Sequence, residues 1–215
     1  MLIEEIMNRN VFSLEENQTI ADAIKMMREK NIRHLPIVNQ KGELTGIVSD
    51  RDLKDASPSI LDSDPNKEVL ESPLSSIMKR DVITAHPLDF VEEISTIFYE
   101  QRISSIPIVD QRKVIGILTE TDMLHTLILL TGAHQPSSHI EVQVANVSGK
   151  LADITQIISK RNVNIISVLV YPCSHDEQYK NIVFRIQTMN PTTVINDIKN
   201  EGYQVLWPNM PGVTK

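Results

Sequence analysis

Part of this chain is written twice, and that repetition limits its architecture more than any other feature. Ile6-Met7-Asn8-Arg9-Asn10-Val11-Phe12-Ser13 returns as Ile77-Met78-Lys79-Arg80-Asp81-Val82-Ile83-Thr84, 71 residues later. Ile32-Arg33-His34-Leu35-Pro36-Ile37-Val38 returns at the same shift as Ile103-Ser104-Ser105-Ile106-Pro107-Ile108-Val109. Gly46-Ile47-Val48-Ser49-Asp50-Arg51-Asp52-Leu53 returns as Gly116-Ile117-Leu118-Thr119-Glu120-Thr121-Asp122-Met123, now shifted by 70, so one residue is missing from the turn between the last two blocks of the second copy. A period of this length means two copies of one supersecondary unit.

Periodicity defines the unit. Ile20, Ala23, Ile24 and Met27 recur at helical spacing behind Thr19 and Asp22, which are placed as a capping box. Val91, Ile94, Ile97 and Phe98 do the same in the second copy, behind Asp89 and with Glu92 in the first turn. Residues 35–38 and 44–48 read as two strands joined through Lys41-Gly42, and a last helix opens at Ser49, or at Thr119 in the second copy. Each copy is therefore expected to run β-α-β-β-α. We place repeat one at 1–60 and repeat two at 77–132. Residues 61–76 form a Ser/Pro/Asp-rich linker with one short helix near 66–71.

Beyond residue 138 the pattern changes. Ile140, Val142 and Val144 alternate as a strand, and Gly149 leads into a helix carrying Leu151, Ile154, Ile157 and Ile158, with Asn162 as its stop. Strands follow at 165–170 and around Ile182, Phe184 and Ile186. Asn190-Pro191 opens a helix that Gly202 closes, and a strand at 203–207 ends before Pro208. The order over 138–210 is βαββαβ, ferredoxin-like, so the fold class is mixed α/β, or α+β.

Charge and composition narrow the function. The net charge of −7 is unevenly placed: residues 138–215 carry seven Lys/Arg and six Asp/Glu, which leaves −8 on the first 137. An acidic chain without a basic stripe is unsuited to a phosphate backbone, so no nucleic-acid partner is expected. The longest apolar run, 123–130, is far too short to span a membrane and reads as a buried helix. Cys173 is the one cysteine. With no signal-peptide pattern in the first residues, it points to a reducing, cytoplasmic compartment. His86, His125, His134, His139 and His175 lack metal-ligand spacing, and no nucleophile–base pair or phosphate-loop motif is present. Neither an enzyme nor a metal or other catalytic cofactor is expected. Met7, Met26, Met27, Met78 and Met123 read as core.

The repeated Gly-x-x-Ser/Thr-x-x-Asp motif carries the chemistry. Gly46 and Gly116 would let a ligand approach the backbone. Ser49 and Thr119 would stand at helix N-termini, where phosphate is favoured, and Asp52 and Asp122, three residues on, could accept both hydroxyls of a ribose. The same spacing is also that of an ordinary helix cap. With the blocks around Arg33-His34-Leu35-Pro36 and Gly46 to Asp52, and their second copies, residues 1–132 resemble the CBS-domain family. That resemblance implies a pseudo-symmetric pair binding AMP, ADP, ATP or another adenosyl compound such as S-adenosylmethionine. It implies Asp52 and Asp122 as ribose-binding acids, Ser49 and Thr119 as phosphate neighbours, Ser13 and Thr84 as contacts to base or sugar, and Arg33 and His34 as phosphate-neutralising groups. Ser104 and Ser105 replace the basic pair in the second copy, with Arg102 nearby, so the two clefts are expected to differ toward polyphosphate.

The C-terminal order, with Asn146-Val147-Ser148-Gly149-Lys150-Leu151 at its first turn, resembles the ACT-domain family. Members often carry Pro where Ser148 stands. This resemblance implies either an amino-acid effector at Gly149, Leu151, Ile165 and Ile166, or dimerisation alone. Thr84-Ala85-His86-Pro87-Leu88-Asp89-Phe90-Val91-Glu92-Glu93-Ile94 and Thr188-Met189-Asn190-Pro191 make nearly the whole chain similar to the acetoin-utilisation AcuB-type family. That implies a homodimeric regulator in acetoin or acetate metabolism, acting on a partner protein still to be identified.

Overall fold

The computed structural model describes residues 1–56 and 67–208. Its contacts divide the chain into two compact units, Met1–Leu124 and His125–Lys215.

In the first unit, copy one contains β1 (Leu14–Glu15), α1 (Ile20–Lys30), β2 (His34–Val38), β3 (Leu44–Ser49) and α2 (Asp50–Ala56). A single turn, α3 (Lys67–Leu70), follows. Copy two contains α4 (Val91–Gln101), β4 (Ser105–Asp110), β5 (Lys113–Thr119) and α5 (Glu120–Thr131), the last crossing the division between units. Thr19 and Asp22 cap α1 reciprocally, Asp22 N–H donating to Thr19 Oγ1 at 3.2 Å and Thr19 N–H to Asp22 Oδ2 at 3.0 Å. No side chain caps α4; its Asp89 accepts from His86 N–H at 2.7 Å instead. The shortened second hairpin turns through Gln111 and Arg112, both at positive φ, as a two-residue turn between right-twisting strands requires.

The second copy departs from the expected β-α-β-β-α. In copy one, Leu14 and Glu15 pair in parallel with Ile37 and Val38. In copy two a single bridge joins Ala85 to Ile108, through Ala85 N–H to Pro107 O at 3.2 Å and Val109 N–H to Ala85 O at 2.9 Å. Pro87 stands where the ladder would next need a donor and has no N–H, so the strand stops after one residue.

The two copies do not pack as consecutive blocks. Ile3 and Met7 lie in the core of the second copy with Val91, Ile94, Phe98, Ile106, Ile108 and Leu118. Leu74 and Met78, their equivalents 71 residues on, lie in the core of the first with Ile20, Ala23, Leu35, Ile37 and Val48. Backbone bonds make the exchange explicit. Asn8 and Ile117 bond in both directions at 3.0 Å, as do Lys79 and Ile47, also at 3.0 Å. Residues 74–76, expected to belong to a spacer, therefore form a 3-10 turn that buries Leu74 completely, at 0% exposure. Residues 61–66 of that expected linker lie outside the described residues.

This exchange explains Gly46 and Gly116. A Cβ at Gly46 would stand 2.7 Å from Met78 Sδ and 3.0 Å from Lys79 O, and one at Gly116 would stand 2.5 Å from Met7 Sδ. The glycines admit the other copy's methionine, so the expectation that they admit a ligand is corrected. The methionine reading holds for this pair, with Met7 at 7% and Met78 at 8% exposure.

The second unit contains β6 (Ser138–Ala145), α6 (Lys150–Ser159), β7 (Ile165–Pro172), β8 (Tyr179–Ile186), α7 (Thr192–Asn200) and β9 (Gln204–Trp207), in βαββαβ order. The antiparallel sheet runs β7-β8-β6-β9. Ile140, Val142 and Val144 alternate onto one face with Ile182, Phe184 and Ile186, beneath Ile154, Ile158, Val194 and Ile198 of the helices. Gly202, at φ 85°, and Asn162, at φ 53°, fall at the expected helix stops.

The expectation that 123–130 is a buried helix is corrected. Leu124, Leu127, Ile128, Leu129 and Leu130 are 43–62% exposed, and Thr126 is the buried residue of α5. The run is apolar all round, and one helix can turn only one face inward.

Gly46→Ala is expected to destabilise the first unit by about 1–3 kcal/mol through overpacking against Met78 and the Lys79 carbonyl. Urea unfolding of Gly46→Ala, Met78→Ala and the double variant checks this. Strongly non-additive losses are the expected result, and additive ones would contradict the contact.

Candidate functional site

The exchange of leading segments opens two clefts in the first unit, related by the same pseudo-symmetry. Each begins at a strand-to-helix junction. Where β3 passes into α2, Ser49 N–H donates to Asp52 Oδ2 at 2.8 Å and Asp52 N–H donates to Ser49 Oγ at 3.2 Å. Where β5 passes into α5, Thr119 N–H donates to Asp122 Oδ2 at 2.8 Å and Asp122 N–H to Thr119 Oγ1 at 3.4 Å. Both motifs are therefore reciprocal helix caps, the ordinary use of the spacing, each contributing about 0.5–2 kcal/mol. A cap does not exclude a ligand. It concentrates the bonds on Oδ2 and fixes the carboxylate in one orientation, and in Asp52 the other oxygen, Oδ1, lies 3.4 Å from Lys79 Nζ.

The cleft at Asp52 has a volume of about 450 Å³. Arg33, His34, Ser49, Arg51 and Asp52 line it from copy one, and Lys79, Asp81, Val82, Ile83, Arg102, Ser104 and Glu120 from copy two. The cleft at Asp122 has about 430 Å³ and is lined by Asn8, Asn31, Ile32, Arg33, His34, Ser104, Thr119, Glu120 and Asp122. Both volumes suit a nucleoside-sized ligand. Arg33, His34, Ser104 and Glu120 line both, so the clefts meet at one wall. At that wall His34 Nε2 and Ser104 Oγ are hydrogen-bonded at 2.8 Å, tying the start of β2 to the residue before β4.

Two electrostatic consequences follow. Burial, with the Arg33 charge second, holds His34 below its ordinary value and so favours the neutral ring. Burial by itself would raise Asp52, but the bonds from Ser49 and the nearby Lys79 outweigh it and hold the carboxyl below its usual range. Without ligand the His34 ring is therefore biased toward its neutral, hydrogen-bonding form, as in its bond with Ser104. Arg33 keeps the capacity to neutralise phosphate.

Among the expected site residues, Arg33, His34, Ser49, Asp52 and Ser104 come together at the first cleft, and Thr119 and Asp122 join Arg33, His34 and Ser104 at the second. Ser13 and Thr84 line neither. Each immediately precedes the residue that bridges to the next strand, and Val82 and Ile83 take the cleft wall instead. Sequence reasoning missed Lys79, Asp81, Arg51, Asn8 and Asn31. The exchange of leading segments brings Lys79 and Asn8 to the clefts, and the repeat alignment pairs these two positions.

In the second unit, Gly149, at φ 88° with open space at its Cβ, and Leu151, 41% exposed, stand at the start of α6. Ile165 packs against the helix-facing core. Ile166 lies over Gly132, where a Cβ would meet its Cγ2 at 2.3 Å, and Ser167 Oγ donates to Thr131 O at 2.7 Å. Within one chain the expected effector residues are thus divided between the start of α6 and β7, where Ile166 is half-buried beside Gly132.

The His34 shift makes stability pH-dependent. Its folded value lies below the unfolded value of about 6.5, so as pH falls through that value the unfolded chain takes up the proton first and stability falls. His139, lowered by burial and Arg185, acts in the same direction. Urea unfolding at pH 7.5 and 5.5 is expected to show this loss, and His34→Gln to remove part of it. An unchanged difference in the variant would contradict the assignment.

The description "CBS domain" matches residues 3–59 and 74–129, more than half of the 215 residues. A CBS domain-containing protein of Dictyostelium discoideum is 29% identical over 143 residues, 64% of this chain and 99% of the relative. A crystal structure from Vibrio cholerae, described as that of an acetoin utilization protein (AcuB), superposes with a TM-score of 0.55 at 30% identity, covering 64% of this chain and 98% of that one. A CBS domain pair crystallised with 5′-methylthioadenosine and S-adenosylmethionine has a TM-score of 0.52 at 29% identity, covering 63% of this chain and 98% of that one. Several curated relatives are much longer proteins, of which this chain spans 20–53%, homoserine O-acetyltransferases among them. With both repeats matched and the two copies joined around a pair of clefts, this chain belongs to the CBS domain family.

Proposed function

We propose that the chain is a regulatory sensor that binds adenosyl compounds in its two clefts without transforming them. One observation carries this reading: Asp52 and Asp122 are held by equivalent caps in the walls of two nucleoside-sized clefts built from both copies. A carboxylate offers about four lone-pair directions, so an acid that caps a helix can still accept from sugar hydroxyls. The CBS domain pair that holds 5′-methylthioadenosine and S-adenosylmethionine supports the ligand class. AMP, ADP and ATP share the same adenosine group.

The output is a population shift. A ligand that bridges both copies favours the conformation in which the shared wall is closed, to the extent that it binds that state more tightly. The second unit transmits the shift to a homodimer or a regulated protein, and the likeness to the Vibrio cholerae protein supports a setting in acetoin or acetate metabolism, in the cytoplasm. The βαββαβ order and β7-β8-β6-β9 sheet support reading 138–210 as a ferredoxin-like ACT-type domain. Leu169, Val170 and Tyr171, 41–50% exposed on the edge strand β7, support an alternative in which that domain is an amino-acid-responsive or purely dimerising scaffold.

Calorimetric titration of nucleotide-free protein with AMP, ADP, ATP, 5′-methylthioadenosine and S-adenosylmethionine tests the main reading. Saturable binding is expected, weakened about tenfold or more by Asp52→Asn with Asp122→Asn. Absence of binding to all five, or affinities untouched by the double variant, would contradict it.

A further inference from the structure

The two clefts have the same plan and different charge. Where the Asp52 cleft has Lys79, Arg102 and Arg51, the equivalent positions of the other copy are Asn8, Asn31 and Thr121, and all three of these line the Asp122 cleft. Three cations are thus replaced by neutral polar groups. Among the described residues, Arg33 is the one Lys or Arg lining the Asp122 cleft, together with the acids Glu120 and Asp122, and it lines the Asp52 cleft as well. The Asp52 cleft sets four cations, Arg33, Arg51, Lys79 and Arg102, against four acids, Asp50, Asp52, Asp81 and Glu120, of which Asp50 bonds Lys54 at 3.0 Å and Asp52 lies 3.4 Å from Lys79; the Asp122 cleft sets Arg33 against Glu120 and Asp122.

Arg102 adds an independent observation. It ends α4 at φ 52°, and its equivalent Asn31 ends α1 at φ 52°. Asparagine tolerates that left-handed conformation, whereas a long side chain is disfavoured in it. The second copy therefore holds an arginine in a backbone conformation better suited to asparagine, at the position that brings a cation to the Asp52 cleft.

From these charges we infer that the clefts divide the ligands between them: a phosphorylated adenosine compound is taken by the Asp52 cleft, and an unphosphorylated one by the Asp122 cleft. The phosphate lies toward Arg102, Lys79 and Arg33, where guanidinium groups give charge-assisted, bidentate bonds. In the Asp122 cleft a phosphate would meet two carboxylates with Arg33, which lines both clefts, as the one cation among the described lining residues, whereas in the Asp52 cleft four cations balance the four acids. An uncharged or cationic nucleoside meets no such opposition. This inference rests on the clefts being adenosyl sites and specifies which chemistry each accepts.

The test uses the full chain with AMP and 5′-methylthioadenosine as probes. Calorimetry is expected to give one AMP per chain, and AMP-saturated protein is expected to bind one further equivalent of 5′-methylthioadenosine. Arg102→Asn, which installs the residue found at the equivalent helix end, is expected to weaken AMP about tenfold or more and to leave the 5′-methylthioadenosine affinity of the second cleft within about twofold. Two AMP sites of equal affinity, or AMP binding indifferent to Arg102→Asn, would overturn the division and leave the sensor reading standing. Binding of neither probe would overturn both. Thermal melting of the variant separates lost binding from lost folding.

Discussion

Met78 on Gly46 and Met7 on Gly116 are the contacts on which the first unit depends. Each copy lacks part of its own core and receives it from the segment that precedes the other copy. Without a Cβ at the glycine, the methionine sulfur reaches the strand backbone, and the main chain behind it pairs with the same strand, Lys79 with Ile47 and Asn8 with Ile117. Each fully buried Leu, Ile or Met adds roughly 1.5–3 kcal/mol, so Ile3, Met7, Leu74 and Met78 make separation of the copies costly. The pair is one cooperative body for this reason.

The same exchange makes the clefts. It places Lys79 beside Asp52, across from the helix cap that fixes that carboxylate, and Asn8 at the equivalent position in the Asp122 cleft. The clefts then share a wall in which His34, its pKa lowered by burial, bonds Ser104. Residues of both copies line each cleft, so a ligand there would touch both, the geometry a sensor needs if occupancy is to alter how they are held together.

Much of this was legible in the sequence wherever the determining interactions are local. The Thr19–Asp22 cap, the helix stops at Asn162 and Gly202, the shortened second hairpin and the alternation of Ile140, Val142 and Val144 all depend on residues a few positions apart, and the structure has them. The Ser/Thr-x-x-Asp motif was legible as both a cap and a possible grip because both uses need the same spacing. What escaped is non-local. Nothing in the vicinity of Gly46 indicates that Met78 covers it, so the glycine was read as ligand space. Arg102 was read beside its own copy's Ser104 and Ser105, whereas it lines the cleft at Asp52. The apolar run in α5 signalled burial by composition, yet all four of its leucines are exposed.

The βαββαβ unit has its own core and an open sheet edge at β7, so the sensor account and the scaffold account differ in where the ligand acts. Hydrogen–deuterium exchange on the full chain, with and without saturating 5′-methylthioadenosine or AMP, separates them. The account predicts slowed exchange at 33–34, 49–52, 102–104 and 119–122, the backbone of the clefts and their shared wall. Unchanged exchange in all four segments, with any protection confined to 138–207, would contradict it.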